Sequence, residues 1–145
     1  MAGTILTFLI GILGGISVGI QSPMSGAIGK RVGGTAGSFI IHVSGAIFSG
    51  ILLVSRGGEN MKDWRTLPWY MLASGIFGLI LYLTLSYTLP RLGALAAVSL
   101  IIVGQLLTGL VIDQFGLFDV AVRPVDLTRL LAVGLLLVGG YLMIK

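Results

Sequence analysis

The chain alternates long apolar stretches with short polar ones. Residues 1–29, 32–55, 66–90, 92–112 and 130–144 carry no charged side chain. A helical span needs about 20 apolar residues at about 1.5 Å rise each, so the first four stretches suffice as they stand. The fifth suffices if its helix starts near Pro124, with Asp126 and Arg129 in an interfacial first turn. Proline at a first helical position and an acid in the first turn are both favourable. The pattern predicts an all-α integral membrane protein. Its single domain has five transmembrane helices, at approximately 3–29, 35–55, 67–88, 93–113 and 124–144. The connections Lys30–Gly34, Arg56–Arg65, Leu89–Gly93 and Asp113–Arg123 are too short to hold a soluble domain. Trp64, Trp69 and Tyr70 fall where the third span begins and Tyr87 where it ends, as in the aromatic belts of membrane proteins.

Within the spans, small and polar residues recur on single faces. The first span has Gly11, Gly15 and Gly19 at four-residue spacing, followed by Ser22 and Gly26. Small residues so spaced let a second helix backbone approach closely. Pro23 removes the N–H that would bond the Gly19 carbonyl, so this stretch is either a kink or a carbonyl-lined ligand site. The second span aligns Ser38, His42, Gly45 and Ser49; the third aligns Ser74, Gly78, Tyr82 and Ser86. His42, the sole histidine, is either a proton carrier or a neutral imidazole bonded to a neighbouring helix. Tyr82 lies deeper than the belt aromatics and is placed to stack on a ligand or donate a hydrogen bond. The fourth span groups Gly104, Gln105, Thr108 and Gly109. The Gln105 amide needs protein, water or substrate, because lipid cannot satisfy it. These faces describe a bundle with a partly polar interior. Gly15, Gly19, Ser22, Pro23, His42, Ser74, Tyr82 and Gln105 are therefore the candidate substrate-binding residues.

Composition sharpens this picture. Of 145 residues 56% are hydrophobic and 10% charged, against about 25% charged in soluble domains. The lipid bilayer is the expected surroundings. The absence of cysteine excludes disulfides and thiolate metal sites. Basic residues stand singly or in pairs, so no nucleic-acid stripe forms. No phosphate loop, metal cluster or nucleophile elbow is present, so neither an enzyme nor a cofactor or metal is expected. The N-terminus lacks the basic region of a signal peptide and reads as a span.

Orientation is weakly specified. With five spans, Arg56, Lys62, Arg65, Arg123 and Arg129 lie on one side of the membrane. Lys30, Arg31, Arg91 and Lys145 lie on the other. A bias of one basic residue barely instructs topology. Either other features fix the orientation, or copies insert both ways and pair antiparallel, which would build the inverted symmetry common in transporters from one short chain.

The stretch G-Q-L-L-T-G-L-V-I-D-Q-F-G-L, from Gly104 to Leu117, resembles the hallmark of the five-helix YdcZ-like family of the drug/metabolite transporter superfamily. The glycine-rich first span leading into Gln21, the Ser38-x-x-x-His42-x-x-Gly45 pattern and the Pro90-x-x-Gly93 turn are similar too, so the resemblance covers the whole chain. It implies an exporter in the bacterial inner membrane, multi-pass, with two copies reproducing a ten-span arrangement. Gln105, Asp113 and Gly116 are the motif positions that carry over, with Gly104 at its head. Related small multidrug transporters couple protons through a glutamate in span one. This chain has no acid there, which departs from proton-coupled export of hydrophobic cations. The expected function is a secondary transporter of a small organic molecule, working as a homodimer by alternating access. The alternative is a non-transporting membrane scaffold or accessory subunit.

Overall fold

The computed structural model describes residues 2–144, and among them every regular element is helical. Helix α1 is Ala2–Val32 and α2 is Gly34–Ser55. A 3-10 turn at Met61–Thr66 precedes the short α3, Trp69–Leu72. Helix α4 runs Gly75–Phe115, a second 3-10 turn covers Leu117–Asp119, and α5 is Leu127–Ile144. Three stretches are long and apolar enough to cross a membrane: Gly3–Val32, Gly34–Ser55 and Trp69–Phe115. Leu127–Met143 is a shorter apolar helix.

The third stretch holds 47 residues, roughly twice what one span requires. Its helix is interrupted at Gly93, whose φ of 77° and ψ of 169° leave the helical region. Only glycine adopts that conformation at no steric cost. The break divides α4 into 75–92 and 94–115, so the chain offers five apolar segments. Pro90 lies inside α4, three residues before the interruption. Pro23 likewise sits within an unbroken α1.

Helix ends follow local chemistry. Gly33, with φ 88°, is the single residue between α1 and α2. At the end of α2 the Gly58 N–H donates to Leu53 O at 2.9 Å and the Gly57 N–H to Val54 O at 3.0 Å. This is a Schellman motif, with Gly57 at φ 74° in the left-handed position. Helix α5 starts later than the sequence suggests. Asp126, rather than Pro124, forms its boundary: Asp126 Oδ1 accepts the Arg129 N–H at 2.7 Å, an N-cap bond. A side-chain acceptor for the third N–H of the helix outweighs the preference of proline for the first turn.

The molecule has two compact units, residues 1–90 and 91–145. In the first, the C-terminal part of α1, α2 and the 75–90 part of α4 meet through small residues. A Cβ added at Gly26 would lie 2.8 Å from Leu89 Cδ1, and one at Gly29 would lie 2.7 Å from Ser86 Cβ. Gly37 directly faces the Tyr82 hydroxyl. Tyr82 and Leu85 are buried at this junction, as are Ser22, Ser25 and Ser38. The hydroxyls of Ser22 and Ser25 donate to the carbonyls of Val18 and Gln21 in their own helix, so both buried donors are satisfied. In the second unit, 94–115 packs on α5: a Cβ at Gly140 would lie 3.2 Å from Val103 Cγ2, and the Ser99 hydroxyl reaches Met143 Sδ at 3.0 Å.

Elsewhere apolar side chains are uncovered. Residues 3–20 of α1 are all exposed, and Phe8, Phe39, Phe48, Phe77 and Leu135 are at least 69% accessible. Water would not tolerate so much apolar surface, whereas acyl chains or another membrane helix would cover it at no such cost.

Candidate functional site

His42 is held by its own helix. Its Nδ1 lies 2.7 Å from Ser38 O and 3.2 Å from Ser38 Oγ. A carbonyl oxygen only accepts, so in the neutral ring Nδ1 carries the proton and Nε2 is left as an acceptor. Nε2 faces α4 at Gly78, where an added Cβ would lie 2.7 Å from it. Beside this contact is a groove of about 410 Å³, lined by Ser38, Phe39, His42, Gly75, Ile76 and Leu79 among others. The α4 wall begins in a tightened turn. The N–H groups of Ile76 and Phe77 donate to Ala73 O and Ser74 O, each at 3.0 Å, in a three-residue pattern. Ser74 sits in this turn, exposed.

Tyr82 is on the same part of α4 one turn beyond Gly78. It is 3% exposed, and its hydroxyl donates to Ser25 O at 3.0 Å. Of the two roles open to it in the sequence, the structure realises the hydrogen bond, and to protein. Ser22 is also enclosed, at 1% exposure. Gly15 and Gly19 have nothing within 4 Å of an added Cβ, and Pro23 is exposed. The first unit therefore gathers His42 and the Ser74 turn around a groove, places Tyr82 and Ser22 in a packed junction, and leaves Gly15, Gly19 and Pro23 on an open face.

Gln105 belongs to the second unit. It is exposed, and its amide has no hydrogen bond among the described residues. It lines a groove of about 320 Å³ with Gly109, Asp113, Arg129, Val133 and Leu136, among others. Gly104 is exposed, and its carbonyl accepts the Thr108 hydroxyl at 2.9 Å. At the mouth of this groove Arg129 Nη1 meets Asp113 Oδ2 at 3.3 Å, with each side chain about one-third exposed (34% and 33%). The same guanidinium donates to Arg123 O at 3.1 Å, and the Arg123 N–H donates to Asp113 O at 2.8 Å. Gln114 closes the loop further, its Oε1 accepting the Val125 N–H at 2.7 Å. Gly116 turns the chain with φ 62°.

The D-Q-F-G part of the motif thus forms a clasp that returns the chain from α4 to α5. Gln114 was missed as a contributor in the sequence. The available signal was an amide directly after the span-terminal acid, with exposed backbone donors expected around Pro124.

The profile of the family described as "Putative inner membrane exporter, YdcZ" matches residues 6–142. The chain belongs to the YdcZ family. No curated protein and no solved structure matches it. Family membership and the long apolar helices agree on a membrane protein of the transporter type. The Gly104–Leu117 stretch that carries the resemblance is the same stretch that lines the second groove and ties the clasp. Among the described residues no group of three His, Cys, Asp or Glu side chains is placed to hold a metal.

Proposed function

We propose that this YdcZ-family chain is a secondary transporter that moves a small organic molecule across the bacterial inner membrane by alternating access. The observation that carries the reading is a pair of unpartnered hydrogen-bonding groups inside apolar segments. Nε2 of His42 in the first unit and the amide of Gln105 in the second find no protein partner among the described residues, and each lines a groove. Acyl chains cannot satisfy such groups, whereas a solute in transit can. The five apolar segments act as five spans, and the working unit is an antiparallel homodimer. Two features support pairing: the near-even split of basic residues between the two sides, and the uncovered Gly11–Gly15–Gly19 face of α1.

Gln105→Leu tests the solute reading. The variant should assemble normally yet move no solute in proteoliposomes that wild-type protein loads; undiminished transport would remove Gln105 from the pathway. A C-terminal tag tests the pairing. It should be reachable from both membrane faces, and labelling from one face alone would rule out dual insertion.

A further inference from the structure

We propose that the end of α1 carrying Lys30 and Arg31, and Arg91 at the second glycine joint, dock onto anionic phospholipid headgroups. The argument starts with where the charges fall. All five acids, Glu59, Asp63, Asp113, Asp119 and Asp126, lie in or beside the connections at 56–65 and 113–129. Arg56, Lys62, Arg65, Arg123 and Arg129 lie there too, so the side-chain charges of that membrane side cancel. In the five-span reading, the other side carries Lys30, Arg31, Arg91 and Lys145 and no acidic side chain.

The balanced side meets its own partners. Arg56 pairs with Glu59 and Arg129 with Asp113, each at 3.3 Å, and the Arg65 guanidinium lies 5.6 Å from the centre of the Trp64 ring. Lys30 and Arg31 differ. Both are exposed in the last turn of α1, and neither has a hydrogen bond or ion pair among the described residues. Their counter-charge has to come from outside the chain.

The backbone keeps these cations at the membrane edge. Arg31-Val32-Gly33 and Arg91-Leu92-Gly93 repeat one pattern, an arginine two residues before a glycine that joins two helical segments. The glycines share one conformation, with φ 88° and ψ 156° at Gly33 and φ 77° and ψ 169° at Gly93. Because one residue makes each turn, the arginine stays on a helix end rather than out on a loop. Val32 and Leu92, next in the chain, are apolar and exposed, so a cation adjoins an apolar side chain at both joints. A headgroup phosphate with its acyl chain presents the matching order. Each Lys or Arg near an anionic bilayer surface strengthens binding about fivefold, and the attraction fades over about 8–10 Å at physiological salt. A zwitterionic headgroup, with no net charge, gains little.

This inference rests on the five-span reading and not on transport. A chain that prefers anionic lipid and moves no solute would overturn the transport reading alone. The full-length protein in maltoside micelles is titrated with dioctanoylphosphatidylglycerol or dioctanoylphosphatidylcholine, which share their chains and differ in head charge. Binding is read by native mass spectrometry and unfolding temperature. Phosphatidylglycerol should bind more tightly and raise the unfolding temperature further, and the difference should shrink as salt is raised. Lys30→Gln with Arg31→Gln should weaken phosphatidylglycerol binding roughly 25-fold, and Arg91→Gln should add about fivefold. Arg56→Gln with Glu59→Gln removes a locally balanced pair and should leave binding unchanged. Equal responses to the two lipids would overturn the proposal, as would inorganic phosphate stabilising as well as phosphatidylglycerol does. So would a preference that survives Lys30→Gln with Arg31→Gln, or one that is lost with Arg56→Gln and Glu59→Gln. If Arg91→Gln does not fold, the exposed Lys30–Arg31 pair still decides the matter.

Discussion

The Tyr82 hydroxyl donates to the carbonyl of Ser25 at 3.0 Å, bridging 57 residues of sequence and tying α4 to α1. Removing the donor alone tests its weight. Interhelical hydrogen bonds in membranes contribute about 0.6 kcal/mol on average and up to about 1.7 kcal/mol. Tyr82→Phe keeps the ring and should lower unfolding free energy within that range. Thermal unfolding followed by circular dichroism in micelles reads it. A larger loss would show that the ring itself has shifted.

Two glycines of α1 should answer alanine in opposite ways. At Gly29 the new methyl would lie 2.7 Å from Ser86 Cβ, and overpacking of this kind costs about 1–3 kcal/mol. At Gly15 nothing lies within 4 Å. There alanine should leave the single chain unharmed, or stabilise it by up to about 1 kcal/mol through helix propensity. If the open face meets a second copy, Gly15→Ala should also lower the yield of cross-linked dimer. Equal unfolding temperatures for the two variants would contradict the packing at the α1–α4 crossing.

Much of this architecture was legible in hydropathy, because the bilayer demands long uncharged stretches and this chain supplies them in order. The break at Gly93 was legible as a Pro-x-x-Gly signal, though the backbone leaves the helix at the glycine and not at the proline. What periodicity could not give was depth of contact. Gly11, Gly15, Gly19, Ser22 and Gly26 share one stripe, yet the stripe is open at its start and closed from Ser22 onward. Spacing alone carries no information about where along a helix the neighbour crosses. Tyr82 read as able to stack on a ligand or to donate a hydrogen bond, and the sequence could not name the Ser25 carbonyl as the acceptor. The sequence put Pro124 at the start of the fifth helix and Asp126 inside its first turn; the bond from the Arg129 N–H makes Asp126 the cap instead, and α5 starts at Leu127.

The Asp113–Arg129 pair should contribute little to stability and should respond to salt. Both side chains are about one-third exposed, and pairs of this kind contribute about 0.2–1 kcal/mol. A double-mutant cycle of Asp113→Asn and Arg129→Gln should give a coupling in that range at low ionic strength, falling as salt is raised. A coupling well above it would mean that the pair is drier than its exposure indicates.

Gly116 should be intolerant of substitution. Its φ is 62°, and a Cβ would lie 2.6 Å from Val122 Cγ2 and 3.2 Å from Val120 O. Left-handed backbone in a non-glycine residue costs about 1–3 kcal/mol, and the crowding adds to it. Gly116→Ala should loosen the clasp, seen as faster amide exchange at Arg123 and Val125, whose N–H groups it holds. Unchanged exchange would separate the turn from the clasp.

With Gly33 as their whole linker, α1 and α2 form a hairpin that has no slack. A one-residue joint leaves no length of chain to absorb displacement, so the last turn of α1, with Lys30 and Arg31, and the first turn of α2 stay side by side.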